Sequence, residues 1–433
     1  MTTKYLPIPN SLFIKNRKKF AEKMKPKSLA VFNSNDIYPV SSDSTMPFNQ
    51  HRDIFYLSGV DQEESILVIF PDAHNEEHRE ILFLRETNEH IAIWEGEKLT
   101  KENATEVSGI KTVYWLSEFD RIFYGLMNEA ENIYLNRNEH YRAVLEVETR
   151  EDRFIKKVKK EFPLHEILRS NPILQHLRSV KEPEELELIQ TACNITEKGV
   201  RRLLGFIKPG VWEYEIEAEL MHEFLRNRSK GFAYTPIIAS GNNANVLHYI
   251  ANNMQCKDGD VILLDVGAEY ANYSSDLTRV IPVNGRFTDR QKQIYNAVLK
   301  MKEEATQLLV PGNNWHDYHK ECGKIYTSIF LDLGLLDKAD VQNEDPKWPA
   351  YKKYMMHGTS HHLGLDTHDY GILTDKFVPN MVFTVEPGIY IPEEGFGMRL
   401  EDDMVIQDSG EPKNLMKNIP LLAEEIEELM NNA

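Results

Sequence analysis

His357-Gly358-Thr359-Ser360-His361-His362-Leu363-Gly364-Leu365-Asp366-Thr367-His368-Asp369 holds four of the chain's 15 histidines within twelve residues. A lone histidine is usually structural or exposed. Four of them among glycines on a loop point instead to metal binding or proton transfer.

The partners for such a segment lie on either side of it. Upstream, Gly259-Asp260 leads into the apolar run Val261-Ile262-Leu263-Leu264-Asp265-Val266, and Tyr273 to Val283 reads as the returning strand. Pairing through a tight turn centred on Tyr270-Ala271 would set Asp265 directly opposite Asp276. Opposed side chains share a face with Cβ atoms about 5 Å apart, where two like charges destabilise unless a cation lies between them. Two exposed acids flanking a hairpin would give the same pattern. Downstream, Thr384-Val385-Glu386-Pro387-Gly388-Ile389-Tyr390 and Met398-Arg399-Leu400-Glu401-Asp402-Asp403 each set an acid at the edge of an apolar strand. Either acid alone reads as a surface carboxylate.

Taken together, Asp265, Asp276, His361, Glu386 and Glu401 supply four carboxylates and one imidazole. Four negative charges balance two divalent cations, which removes the cost of gathering those acids in a partly dry pocket. An oxygen-rich site with little sulfur favours Mn²⁺, although Co²⁺, Zn²⁺ and Fe²⁺ also enter such sites. Two ions about 3.5–4 Å apart can acidify a water held between them.

The order Asp, a second Asp eleven residues on, then His, Glu and Glu resembles the metallopeptidases of the pita-bread fold. The resemblance is closest to the aminopeptidase P family. It extends over almost the whole chain, including Asn49-Gln50-His51-Arg52-Asp53-Ile54-Phe55-Tyr56-Leu57-Ser58-Gly59 and Ile93-Trp94-Glu95-Gly96. It implies an α+β architecture: a catalytic pita-bread domain over residues 175–433, preceded by a smaller α/β domain over 1–174 serving substrate access and oligomerisation. It also implies a two-metal aminopeptidase acting on peptides with proline at the second position, as a homodimer or homotetramer. Asp276 and Glu401 would bridge both metals, Asp265 would complete one site, and His361 with Glu386 the other. Glu386 would also shuttle the proton of the attacking water. His248 and His368 match histidines that orient the scissile peptide and stabilise its oxyanion. His357, Tyr390, Arg399 and Tyr234 match positions lining the proline pocket, with Arg399 alternatively a salt bridge to Asp402 or Asp403.

Two other readings compete with this one. A prolidase would share the five ligands but act on dipeptides. Ser360 before His361 and the Gly395-Phe396-Gly397-Met398-Arg399 approach resemble aminopeptidase P instead. A metal-free binding module on the same fold would have lost ligands, whereas all five positions are kept here.

The rest of the sequence narrows the setting. At 433 residues the chain suggests two or three domains. A formal charge of −18, with acids in both halves, argues against a nucleic-acid partner, which needs clustered Lys and Arg. The basic run Lys156-Lys157-Val158-Lys159-Lys160 reads as a solvated helix face. Three dispersed cysteines form neither a disulfide framework nor a CxxC site, which suggests a reducing, cytoplasmic setting. No stretch reaches the ~20 apolar residues of a membrane span. In the first third, Ser28–Asn33, Ser65–Pro71, Glu80–Arg85 and His90–Trp94 read as strands, while Leu12–Met24, Ser117–Ala130 and Glu139–Lys160 have helical spacing. Pro183 followed by Glu184-Glu185 marks a helix start.

Overall fold

Ser28–Asn33 is buried at every position, as expected of a strand covered on both faces. In the computed structural model, which describes residues 3–144 and 146–432, it is the pivot of an N-terminal sheet. The chain divides into two compact units, Met1–Leu177 and Arg178–Ala433. The strands of the first are β1 (Ser28–Asn33), a small hairpin β2 (Pro39–Ser41) and β3 (Ser44–Thr45), then β4 (Ile66–Ile69), β5 (Glu80–Leu84), β6 (Thr112–Trp115), β7 (Asn132–Leu135) and β8 (Glu166–Arg169). Six of them form one sheet in the order β6-β5-β4-β1-β7-β8. β1 runs antiparallel to β4 and parallel to β7. Helix Phe119–Glu129 buries Phe119, Ile122, Phe123, Leu126 and Met127, the one-sided spacing of an amphipathic helix. These side chains join Leu29, Val31, Val68, Phe83 and Phe154 in the core of this unit.

Two expectations fail in this unit. His90–Trp94 belongs to a helix, Glu89–Glu95, because Asn88 caps it by accepting from the Ile91 N–H. Cap chemistry decides there for a short apolar run that reads equally as a strand. The expected helix over 139–160 begins only at Arg150, where Thr149 and Asp152 form a capping box. Residues 139–144 are not helical, and Leu145 lies outside the described residues.

The second unit opens on helix Pro183–Leu204, with Pro at its first position and Glu184 and Glu185 in its first turn. Helix Glu213–Arg226 follows. Short antiparallel strands then build the walls of the site: β9 (Gly231–Phe232), β10 (Ile237–Ser240), β11 (Val261–Asp265), β12 (Ala268–Tyr270), β13 (Tyr273–Ser274) and β14 (Thr278–Pro282). After helices Asp289–Thr306 and Trp315–Asp332 come β15 (Val382–Val385), β16 (Gly388–Ile391), β17 (Phe396–Arg399), β18 (Asp402–Val405) and β19 (Lys413–Asn414). The three-stranded groupings are β10-β11-β14, β13-β12-β9 and β15-β18-β19, with β16 paired to β17. Among the described residues no helix is long and apolar enough to cross a membrane.

The register around the two aspartates differs from expectation. Asp265 pairs with Thr278, not with Asp276. The turn is centred on Ala271 and Asn272, both at positive φ (53° and 68°), and Tyr270 pairs with Tyr273. A tight turn with both central residues left-handed is favoured by Asn, which tolerates that region, and this moves the pairing by two residues. The returning strand also breaks between β13 and β14. A Cβ at Gly267 would lie 1.8 Å from the Ser275 carbonyl oxygen, so only glycine admits the close backbone approach there.

Candidate metal centre and active site

Each candidate acid stands at or just beyond the end of a buried strand. Asp265 ends β11, whose other four residues are buried. Asp276 lies in the break before β14, Glu386 directly follows β15, and Glu401 sits between β17 and β18. Glu401 is held to β14 by its N–H, which donates to the Thr278 carbonyl at 3.1 Å. His361 is fixed beside β15 through Thr384: the Thr384 N–H donates to the His361 carbonyl at 3.0 Å, and the His361 N–H to Thr384 Oγ1 at 3.2 Å.

The fold brings these side chains together. Asp276, His361 and Glu401, all buried, each offer a ligand atom within 4.8 Å of the others'. His361 Nε2 lies 3.3 Å from Asp276 Oδ2 and 3.7 Å from Glu386 Oε1. Asp265 joins the group through Tyr234, whose hydroxyl is 2.7 Å from Asp265 Oδ1 and 2.5 Å from Asp276 Oδ1.

Electrostatics show what this cluster can hold. Burial, then the charges of Asp276, Glu386 and Asp265, push the Glu401 carboxyl well above the usual carboxylate range. Burial likewise raises Glu386 to about 7, and raises Asp265 against the opposing charge of Arg399. Among the described residues, Glu401 Oε1 is buried without a hydrogen-bond partner. Mutually repelling carboxylates with an orphaned oxygen and one imidazole nitrogen suit hard divalent cations. These residues therefore fit the metals that the sequence pattern implies.

A second chain of contacts lies beside the acids. Arg399 Nη2 donates to Asp265 Oδ2 at 2.5 Å, Nη1 to the Tyr390 hydroxyl at 2.7 Å, and Nε to Thr278 Oγ1 at 3.1 Å. Thr278 Oγ1 in turn donates to Glu401 Oε2 at 2.7 Å. His357 Nε2 lies 2.7 Å from the Tyr390 hydroxyl, and its Nδ1 lies 2.8 Å from the Gly358 carbonyl. Since a carbonyl only accepts, Nδ1 carries the proton and Nε2 accepts from Tyr390. Burial and the Arg399 charge hold His357 down at about 3, consistent with that neutral tautomer. The salt-bridge alternative for Arg399 does not hold: Asp402 is claimed by Arg279 at 2.6 Å and by Lys302.

The two outer histidines are more open. His368 is exposed and packs edge-on against His361, with ring centroids 4.4 Å apart. His248 is exposed, close enough to His357 for its charge to oppose protonation there.

Two contributors gave no sequence signal. Thr278 looks like any strand threonine until its hydroxyl is found between Arg399 and Glu401. Asp403, read only as an alternative partner for Arg399, instead accepts from the Asp276 N–H at 3.1 Å and so fixes the backbone of a candidate ligand.

Comparison with known proteins places this geometry. Residues 187–408 match the model of metallopeptidase family M24, and residues 13–134 match that of the aminopeptidase P N-terminal domain. The Xaa-Pro aminopeptidase of Escherichia coli (strain K12) is 34% identical over 96% of this chain and 97% of its own. Aminopeptidase PepP of Pseudomonas aeruginosa superposes with a TM-score of 0.88 at 30% identity, covering 98% of this chain and 99% of the other. A Zn-substituted E. coli aminopeptidase P in complex with product gives 0.87 at 32% identity, covering 99% of both. With carboxylates and imidazole grouped in the segment matched by the M24 model, and with this likeness along nearly its full length, the chain belongs to metallopeptidase family M24, among the Xaa-Pro aminopeptidases.

Proposed function

We propose that this chain hydrolyses the bond between the N-terminal residue of a peptide and a following proline, using two divalent metal ions. The observation that carries the reading is the convergence of Asp276, His361 and Glu401, within a chain so similar to proteins named Xaa-Pro aminopeptidases. In this reading Asp265, Asp276, His361, Glu386 and Glu401 would hold the two ions, with Asp276 and Glu401 serving both, Asp265 the one, and His361 with Glu386 the other. Mn²⁺ suits an oxygen-rich donor set of this kind best, with Co²⁺, Zn²⁺ or Fe²⁺ as substitutes.

When bound, the ions supply Lewis acidity toward the scissile carbonyl and make the attacking water more acidic. The chain's own residues do the rest. Glu386 accepts a proton from the water as its oxygen bonds to the carbonyl carbon. Glu386 then returns the proton to the proline nitrogen as the C–N bond breaks, leaving a free amino acid and a peptide beginning with proline. His248 and His368 donate to the carbonyl oxygen as it gains charge. His357, Tyr390, Arg399 and Tyr234 bound the proline pocket, their hydrogen-bonded chain giving it a fixed shape.

Proline recognition by shape follows from the substrate. The bond before proline has no N–H, and the ring fixes φ near −65°. A rigid pocket can read that ring, whereas a site relying on the N–H cannot. The N-terminal domain, read from the sequence as residues 1–174, takes the roles of substrate access and self-assembly into a homodimer or homotetramer. Exposed Ile93 and Trp94 support the second role, and light scattering tests it. Three free, buried cysteines suit a cytoplasmic setting.

The deciding experiment compares kcat/KM for Xaa-Pro-Xaa tripeptides, Xaa-Pro dipeptides and N-acetylated tripeptides with added Mn²⁺. Free tripeptides should be preferred and blocked ones refused. A dipeptide favoured tenfold or more would make the enzyme a prolidase.

A further inference from the structure

Residues 246–254, which carry His248, form no helix or strand, and Val246, Ile250 and Met254 among them are exposed. Such a loop has little apolar burial to hold it. One carboxylate ties it to the turn that precedes it. Glu213, the first residue of helix Glu213–Arg226, is fully buried. Its Oε1 accepts from the Ser240 N–H at 2.8 Å, Ser240 Oγ at 2.7 Å and Asn243 Nδ2 at 3.2 Å. Its Oε2 accepts from the Tyr249 hydroxyl at 2.8 Å and the Met254 N–H at 2.9 Å. The donors bracket His248: two residues precede the loop, one directly follows the histidine, and one lies at the far end.

Neighbouring contacts extend the same anchor. The Glu213 N–H donates to the Met254 carbonyl at 3.0 Å. One helical turn on, Glu217 accepts from Asn252 Nδ2 at 3.0 Å, while Asn252 Oδ1 accepts from the Ile238 N–H at 3.1 Å. The turn before the loop also rests on the strand that bears Arg399, since a Cβ at Gly397 would lie 2.6 Å from the Ala244 carbonyl oxygen. A buried carboxylate is costly unless its lone pairs are filled, and here five donors and a helix N-terminus fill them.

We infer that Glu213 is a positioning residue for peptide hydrolysis: it locks the 240–254 segment so that His248 meets the scissile carbonyl. This rests on the role given to His248 under the proposed function. A displacement of about 1 Å at such a donor can cost ~10²-fold in rate.

The test is a double-mutant cycle on the metal-saturated enzyme with an Xaa-Pro-Xaa tripeptide. Glu213→Gln keeps the side-chain size but turns one acceptor into a donor. Backbone N–H groups cannot reverse, so whichever way the amide turns, Ser240 or Met254 loses its acceptor. We expect kcat to fall ~10-fold or more with KM and metal content nearly unchanged, and the Glu213→Gln/His248→Ala double variant to match His248→Ala within about twofold. Losses that multiply in the double variant, or a parental kcat in Glu213→Gln, overturn the inference. Should Glu213→Gln fail to fold, Tyr249→Phe removes a single donor from the loop side and the same cycle with His248→Ala decides. If the parent cleaves the tripeptide while the losses multiply, this inference falls and the proposed activity stands; if the parent does not cleave it, the activity itself falls.

Discussion

Arg399 and Asp265 form a direct ion pair, Nη2 to Oδ2 at 2.5 Å, in a part of the site where Asp265, Glu386 and Glu401 all attract the guanidinium. The guanidinium does more than neutralise. Its three nitrogens reach Asp265, Tyr390 and Thr278 at once, a fork that an ammonium cannot reproduce. Arg399→Lys should therefore lower kcat/KM by ~10–10²-fold although the charge is kept, through loss of the fixed Tyr390–His357 pocket wall. Steady-state kinetics on tripeptides differing only at the second position check this. The loss should be larger for proline than for alanine, and an equal loss for both would separate Arg399 from proline recognition.

Glu401→Ala and Asp276→Ala should each abolish turnover and reduce bound metal. Each residue is assigned to both ions, so one truncation opens two coordination spheres. Relieving a buried like-charge cluster should leave the fold standing, since Glu401 is already pushed up by burial and by its acidic neighbours. Metal analysis beside circular dichroism gives the readout. Near-normal turnover with two ions bound would remove that residue from the mechanism.

His368→Ala should separate catalysis from metal binding. His368 packs on His361 from an exposed position, where it can donate to a substrate atom. Losing one donor to a developing oxyanion typically costs ~10²–10³-fold in kcat. Metal stoichiometry should hold while kcat falls. A parallel fall of both would make His368 a ligand or a support for His361.

The α+β class and the family were legible because acids at strand ends, a histidine-dense loop and their order along the chain survive in one dimension. What the sequence hid were pairings set by local backbone chemistry. The Asp265 strand was misregistered by two residues because Asn272 draws the turn one position along. The segment 90–94 is a short apolar run like a buried strand, yet Asn88 starts a helix there. Glu213 and Thr278 were invisible for another reason: each sits in an unremarkable helix or strand, and its partners come from 27 to 41 residues away in the first case and 121 to 123 in the second. Arg399 was ambiguous because Asp402 and Asp403 are its sequence neighbours; only the fold assigns Asp402 to Arg279 and Lys302.

Glu151 gives a stability prediction remote from the metals. It is buried at the start of helix Arg150–Glu161, its oxygens accepting from the Asn33 N–H at 2.9 Å and Asn33 Nδ2 at 2.8 Å. Burial raises it to about 8, with Asp53 pushing the same way and Arg150 opposing. In the unfolded chain a glutamate titrates near ~4.3. Between those values the folded state holds a proton that the unfolded state has lost, so unfolding releases it and stability falls as pH rises, by up to about 1.4 kcal/mol per pH unit. The stabilising contribution is complete below the unfolded value and gone once pH passes through about 8. Glu151→Gln mimics the neutral acid and does not titrate. Against this variant the parent should lose relative stability steadily from pH 5 toward 8, then run parallel to it at higher pH. Other titrations, including those of the metal site, are common to both proteins and cancel in the difference. Urea midpoints of the metal-saturated proteins at closely spaced pH values measure it. A difference that stays constant across this range would mean that Glu151 is ionised in the folded protein, its two Asn33 contacts and the helix N-terminus outweighing the cost of burial.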